Sequence, residues 1–169
     1  MWRTEFGVRT AGCSRWQILI PVLWVICAPS LLGAQNIVSV ESETSFGESV
    51  GYAQTILIIT KKEVRLAKHS WTKSDPDLSI ARPTKEAEWL KLSQYAPLSR
   101  LADLPEVIGD PDDADQGEES LIIVTEARRL HASFDYGANP EGLADYLNVI
   151  RAIRAEMDKK IAEKYKRLK

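Results

Sequence analysis

YAQTILIIT, residues 52–60, and LIIVT, residues 121–125, decide how this chain is read. Each is a short, β-branched, apolar run bounded by polar residues, the pattern of a buried strand. After the first, Lys61-Lys62 makes a turn. Val64, Leu66 and Lys68 then alternate with Glu63, Arg65 and Ala67 as far as Trp71, which gives a half-exposed partner strand. After the second, Arg128-Arg129 marks a turn, and Leu130, Ala132, Phe134 and Tyr136 alternate with His131, Ser133 and Asp135. Two antiparallel hairpins in one sheet are expected, over residues 52–71 and 121–136. Their shared order hints at duplication, but no residue-level repeat accompanies it.

Outward from the hairpins the periodicity changes. Residues 72–83, with Pro76 and Pro83, read as a loop. Thr84 is the expected N-cap of a helix that carries Glu86 and Glu88 in its first turn, then Trp89, Leu90 and Leu92, and stops before Pro97. A second helical turn over residues 98–104 ends at Pro105, completing a helical insert over 84–104. Residues 109–120 form an acidic loop. Asn139-Pro140-Glu141 has the order of an N-cap, a first-turn proline and a first-turn acid. From Leu143, apolar residues recur at Leu147, Ile150, Ile153, Met157, Ile161, Tyr165 and Leu168, one continuous stripe. A long amphipathic helix over residues 140–168, packed on the sheet, follows. Residues 35–51 are polar and Ser/Glu-rich, with a weak alternation at Ile37, Val38 and Val40. They suggest a short strand or loose lead-in before a glycine-bounded loop from Phe46 to Gly51. The fold class is α+β.

The first 34 residues differ from all of this. Arg3, Arg9 and Arg15 precede a nearly unbroken apolar run over residues 18–32, and Gly33-Ala34 offers a small-residue cut site before Gln35. Charge, apolar core and small residues in that order make a secretory signal peptide over residues 1–34. The run is shorter than the ~20 residues that span a bilayer comfortably. An uncleaved N-terminal anchor is the competing reading. Cleavage removes both cysteines, Cys13 and Cys27, and leaves 135 residues (35–169) as a single domain with 19 basic and 23 acidic side chains. That balance excludes a general nucleic-acid binder. It is also uneven: six of the basic residues fall in 159–169, and the rest of the mature chain carries a net charge of -9.

Three groups of residues invite chemistry. Gly47-Glu48-Ser49-Val50-Gly51 matches G-x-S-x-G, and Asp112 or Asp115 followed by His131 completes the order of a serine-hydrolase triad. That motif needs a strand before the serine and a helix after it, whereas a β-branched run follows here. Asp110, Asp112, Asp113 and Asp115 head six carboxylates in twelve residues, a candidate Ca²⁺ loop in an exported protein. The EF-hand spacing fails in every register, and a solvated acidic turn is the simpler reading. His69 and His131 have no cysteine or carboxylate at zinc-ligand spacing and read as ordinary strand residues. The basic C-terminal end complements its helix dipole, with an interaction tail as the sharper alternative.

Ser45-Phe46-Gly47-x-Ser49-x-Gly51-Tyr52-Ala53 and Leu104-Pro105-x-x-Ile108-Gly109-Asp110-Pro111-Asp112-Asp113-Ala114-Asp115-x-Gly117 together carry a resemblance. They resemble segments of a group of small exported bacterial proteins of uncharacterised function, with S-F-G-x-C-x-G-Y-C and L-P-x-x-I-G-C-P-D-C-A-D-G-G. The resemblance covers most of the mature chain and implies a fold and an exported location. The group's four cysteines correspond to Ser49, Ala53, Asp110 and Asp113 here, so no disulfide, metal or redox role is carried over. It implies that the loop over 46–53 lies beside the loop over 109–115.

The expectation is therefore an exported α+β binding or interaction module, periplasmic or extracellular, whose partner is a protein or a small ligand. Its surface would run from Phe46, Gly47, Ser49, Gly51 and Tyr52 to Asp110 and Asp113. Neither nucleic acid nor, once the leader is cut, a membrane is an expected partner, and no cofactor is expected. A Ca²⁺-binding domain using the acidic loop and a serine hydrolase using Ser49 are the rivals.

Overall fold

Strand β1 (Ile37–Ser45) has neighbours on both sides. It pairs antiparallel with β2 (Tyr52–Thr60), which pairs with β3 (Glu63–Ser70), which pairs with β4 (Leu78–Pro83). The chain continues through α1 (Glu86–Gln94), α2 (Leu98–Asp103), β5 (Val107–Ile108), β6 (Glu118–Thr125), β7 (Arg129–Asp135) and α3 (Ala144–Lys166). β6 returns to the open side of β1, so the sheet order is β4-β3-β2-β1-β6-β7-β5. Among the described residues all pairings are antiparallel except β5 with β7, and the fold is α+β on a mixed seven-stranded sheet.

This computed structural model describes residues 36–47, 52–70, 72, 76–111 and 117–166. The chain divides into two units, 1–32 and 33–169, and every described residue belongs to the second. The leader over residues 1–34, Trp71 and Leu168 lie outside the described residues.

The core lies between the helices and one face of the sheet. Strand alternation sends Val40, Leu57, Ile59, Val64, Leu66, Leu121, Ile123, Ala132 and Phe134 to that face, all of them buried. The α3 stripe meets them with Leu147, Ile150, Met157 and Ile161, while Leu92 of α1 and Leu101 of α2 close the layer. The opposite face presents Glu41, Glu43, Glu63, Arg65 and Arg129, with Glu63 bonded to Arg65 at 2.9 Å.

Several expectations need correction. Of the short strand or loose lead-in expected before the Phe46 loop, the strand forms, and it is longer and more central than expected: nine residues, 37–45, in the middle of the sheet. Its alternation is weak for two reasons. A register shift between Ile37 and Ser39 puts Ser39 and Val40 in consecutive buried positions, and its next inward residues are Ser42 and Thr44. The expected loop over 72–83 contains β4. Leu78, Ile80 and Arg82 alternate inward there, and Pro83 is tolerated because β4 is an edge strand. Lys85, not Thr84, is the N-cap of α1, and the Thr84 hydroxyl instead donates to the Thr60 carbonyl at 2.7 Å. Val107–Ile108 form an edge strand, and the acidic segment expected to be loop through residue 120 enters β6 at Glu118. α3 begins at Ala144, after a turn, not at Pro140.

Candidate functional site

Gly117 opens the stretch that builds the site. With φ at +75° it turns the chain into β6, and two residues later Glu119 faces the core opposite Thr44 and Phe134. Its side chain is fully buried. A carboxylate removed from water must be paired, and α3 supplies both partners from one face. Arg151 gives Glu119 Oε2 two hydrogen bonds, at 3.0 and 2.6 Å, and Arg154 donates to Oε1 at 3.0 Å. Spacing of three on a helix makes the two arginines neighbours. Arg154 also donates to the Ser42 hydroxyl of β1, which donates in turn to the Ser120 carbonyl at 3.0 Å. Arg151 reaches Asn139 Oδ1 at 2.8 Å and the Ala138 carbonyl at 2.5 Å, tying down the chain before α3. Asn139, the expected cap, serves as this anchor instead.

Beside the cluster is a cavity of about 240 Å³, lined by Glu119, Tyr136, Gly137, Arg151, Arg154 and Asp158 along with Ala155. One helical turn beyond Arg154, Asp158 is ion-paired with Lys68 of β3 at 2.7 Å. Tyr136 keeps half of its surface exposed, and its ring meets Phe46 edge-on, centroids 4.8 Å apart. Phe46 is held in turn: its N–H donates to the Ala53 carbonyl at 2.9 Å, and its ring lies where a side chain on Gly117 would go. The Tyr136 N–H donates to the Gly117 carbonyl at 3.0 Å.

Of the residues expected from sequence, Phe46 belongs to this end of the sheet. Asp110 approaches it through Asp135, whose carboxylate accepts from the Asp110 N–H at 3.2 Å. Gly47 is exposed next to Phe46. Tyr52 is directed elsewhere, its hydroxyl donating to the Pro76 carbonyl at 3.2 Å. Ser49, Gly51, Asp112, Asp113 and Asp115 lie outside the described residues, and among the described residues no three His, Cys, Asp or Glu side chains gather as metal ligands. The serine triad lacks its setting, because the segment bearing Ser49 joins two antiparallel strands. His131 is four residues along β7 from Asp135, roughly 13 Å of strand, and faces Glu106 at 3.4 Å. His69 likewise pairs with a carboxylate, Asp77, at 2.9 Å, and that bond lowers the pKa of Asp77.

Sequence reading missed Ser42, Glu119, Tyr136, Arg151 and Arg154. A usable signal existed for two of them. Glu119 continues the inward period of Leu121 and Ile123, and Arg154 stands on the apolar stripe between Ile150 and Met157. A charge at an inward position needs a partner, and these two are each other's.

Adjoining hollows of about 400 and 490 Å³ also open between α1 and α3, sharing Lys91 and Val149. The two carboxylates of the first, Glu88 and Glu156, are already engaged: Glu88 holds Arg82, and Glu156 holds Lys85 and Lys160. Among the described residues no helix is long and apolar enough to cross a membrane. No protein-family model matches the chain, and no curated protein matches it.

Proposed function

We propose that the chain is an exported binding module, freed of residues 1–34 at the Ala34–Gln35 bond and working in the periplasm or outside the cell. Its contact surface is the end of the sheet where Phe46, Gly117 and Tyr136 meet, in front of the Glu119–Arg151–Arg154 cluster. The observation that carries this reading is the Phe46–Tyr136 pair. Two aromatic rings stand edge to face, and one of them, the half-exposed Tyr136, lines a cavity together with Arg151 and Arg154. Binding sites combine such apolar surface with a few fixed polar groups. The basic leader followed by an apolar core supports export, as does the resemblance carried by residues 45–53 and 104–117.

Amide shift mapping tests the contact surface. The ¹⁵N-labelled protein is titrated with a panel of small acids, amines, amides and sugars. A ligand that binds is expected to move the amides of Phe46, Gly117, Tyr136 and Gly137 before others. Shifts confined to the α1–α3 hollows, around Lys91 and Val149, would remove the function from this end of the molecule.

A further inference from the structure

We propose that the outer edge of β4 is an interaction surface whose partner is β4 of a second copy of this chain, and that the last turn of α3 holds it closed.

Length singles this edge out. A strand at the margin of a sheet presents N–H and C=O groups with which another strand can pair. Among the described residues the sheet ends in β4 on one side and β5 on the other. β5 is two residues long and gives a second strand little to hold, whereas β4 has six residues, about 20 Å of strand.

Hydrogen-bond alternation decides which groups of β4 face outward. Just past the ladder that pairs Glu63 with Pro83, the Thr84 N–H donates to the Lys62 carbonyl at 3.1 Å in the same register. Antiparallel bonding involves every second residue, so Leu78, Ile80 and Arg82 bond to β3, and Ser79, Ala81 and Pro83 turn their backbone groups away from it. Three of those outward groups are already occupied. The Ser79 N–H donates to the Tyr165 hydroxyl, and the Ser79 carbonyl accepts from Lys164 Nζ, each at 3.4 Å. The Pro83 carbonyl accepts from Arg82 Nη1 at 3.0 Å, and proline has no N–H to offer. Ala81 keeps both of its groups open, but one residue makes too short a ladder to hold a strand.

Both groups that close Ser79 come from one turn of helix. Tyr165 is packed against the core, and Lys164 Nζ lies 5.2 Å from the centre of its ring. With that turn withdrawn, Ser79 and Ala81 present four groups in a row, and the edge is complementary to itself. A two-fold axis at Ile80 sets Ser79 of each copy against Ala81 of the other and forms four hydrogen bonds. Ile80 then meets its own counterpart, and Leu78 meets an Arg82 whose charge Glu88 and Glu156 already balance. No like charges oppose each other along this seam. Ser79 and Ala81 are exposed and small, so they leave the approach clear.

The test follows amide hydrogen exchange and sedimentation in the protein as recovered from cells. In the wild type the Ser79 amide is expected to exchange more slowly than the open Ala81 amide. Tyr165→Phe keeps the packed ring and removes the hydroxyl. It is expected to speed Ser79 exchange about fivefold, the scale of one lost hydrogen bond, without changing the fold. Lys164→Ala combined with Tyr165→Ala removes both closing groups, and is expected to double the sedimenting mass relative to the wild type and to protect both amides. Adding Ala81→Pro removes an outward N–H that β3 does not use, and is expected to restore the wild-type mass. If the double variant does not fold, Lys164→Ala with Tyr165→Phe takes its place under the same criteria. Any one of four results would overturn the proposal: Ala81 exchanging as slowly as Ser79 in the wild type, Ser79 exchange unchanged in Tyr165→Phe, no added association in the double variant, or association that survives Ala81→Pro.

Discussion

Gly117 joins the two halves of the site. Its φ of +75° belongs to the left-handed region that favours glycine, and a Cβ there would lie 2.5 Å from Phe46 Cδ1 and 2.9 Å from the Ser45 carbonyl oxygen. A phenyl ring can swing aside, but backbone cannot. Gly117→Ala is accordingly expected to destabilise the fold by about 1–3 kcal/mol and to loosen the Phe46–Tyr136 contact. Urea denaturation checks the first effect and the Phe46 ring resonances the second; an unchanged midpoint would show that the turn is not constrained as described. At this scale the sequence was partly legible. Phe46 and Gly117 stand in the motifs read from it, yet Glu119 passed for one more member of an acidic loop. What makes Glu119 different is that β6 starts one residue earlier and turns it inward. Composition counts charges and cannot say which of them leaves water.

Among the elements, β4, α1 and α3 are joined by a second charged network. Arg82 donates to both oxygens of Glu88 at 2.8 and 2.9 Å, and Glu156 receives Lys160 at 2.8 Å and Lys85 at 2.9 Å. Burial pushes Glu88 upward, but its hydrogen bonds from Arg82 and Lys85 outweigh that and hold it below the usual range. For Glu156 the bonds from Lys160 and Lys85 dominate, and its pKa falls from 4.5 to about 2. A carboxylate depressed by folding stabilises the native state above its unfolded pKa, and that stability is lost as pH falls toward the folded one. The contribution of Glu156 is therefore complete above pH 4.5 and fades between there and about 2. In melts across pH, Glu156→Gln is expected to lie below the wild type at neutral pH and to converge with it near pH 2, with a gap that shrinks as salt is added. A constant gap at every pH would assign the effect to packing instead. None of this network was legible beforehand, because it depends on residues 82–88 being strand then helix. The prolines at 76 and 83 concealed the strand, since nothing local says that it is an edge where a proline is tolerated.

For the whole molecule, the proposed export makes a direct prediction about mass. Protein recovered from outside the cytoplasm is expected to begin at Gln35 and contain 135 residues with no cysteine. Its melting should then be indifferent to reductant. Intact mass and N-terminal sequencing check this, and recovery of a chain still starting at Met1 would favour the anchor. A chain cleaved in this way would have no cross-link and would depend on its core, and among the described residues the layer of helices over a seven-stranded sheet supplies one.

Local pattern by itself determined the strands at 52–60 and 121–125 with their partners, the helical insert and the long terminal helix, because apolar periodicity and turn residues act over a few neighbours. Tertiary structure alone decided that residues 37–45 form the central strand. They contribute few apolar side chains and gain burial only from having β2 on one side and β6 on the other. Pairing with β6 joins residues some 80 positions apart and sets Ser42 beneath Arg154. Glu119 and Arg154, 35 positions apart, likewise become a pair only when the sheet and α3 close over both and exclude the water that would otherwise solvate each one separately.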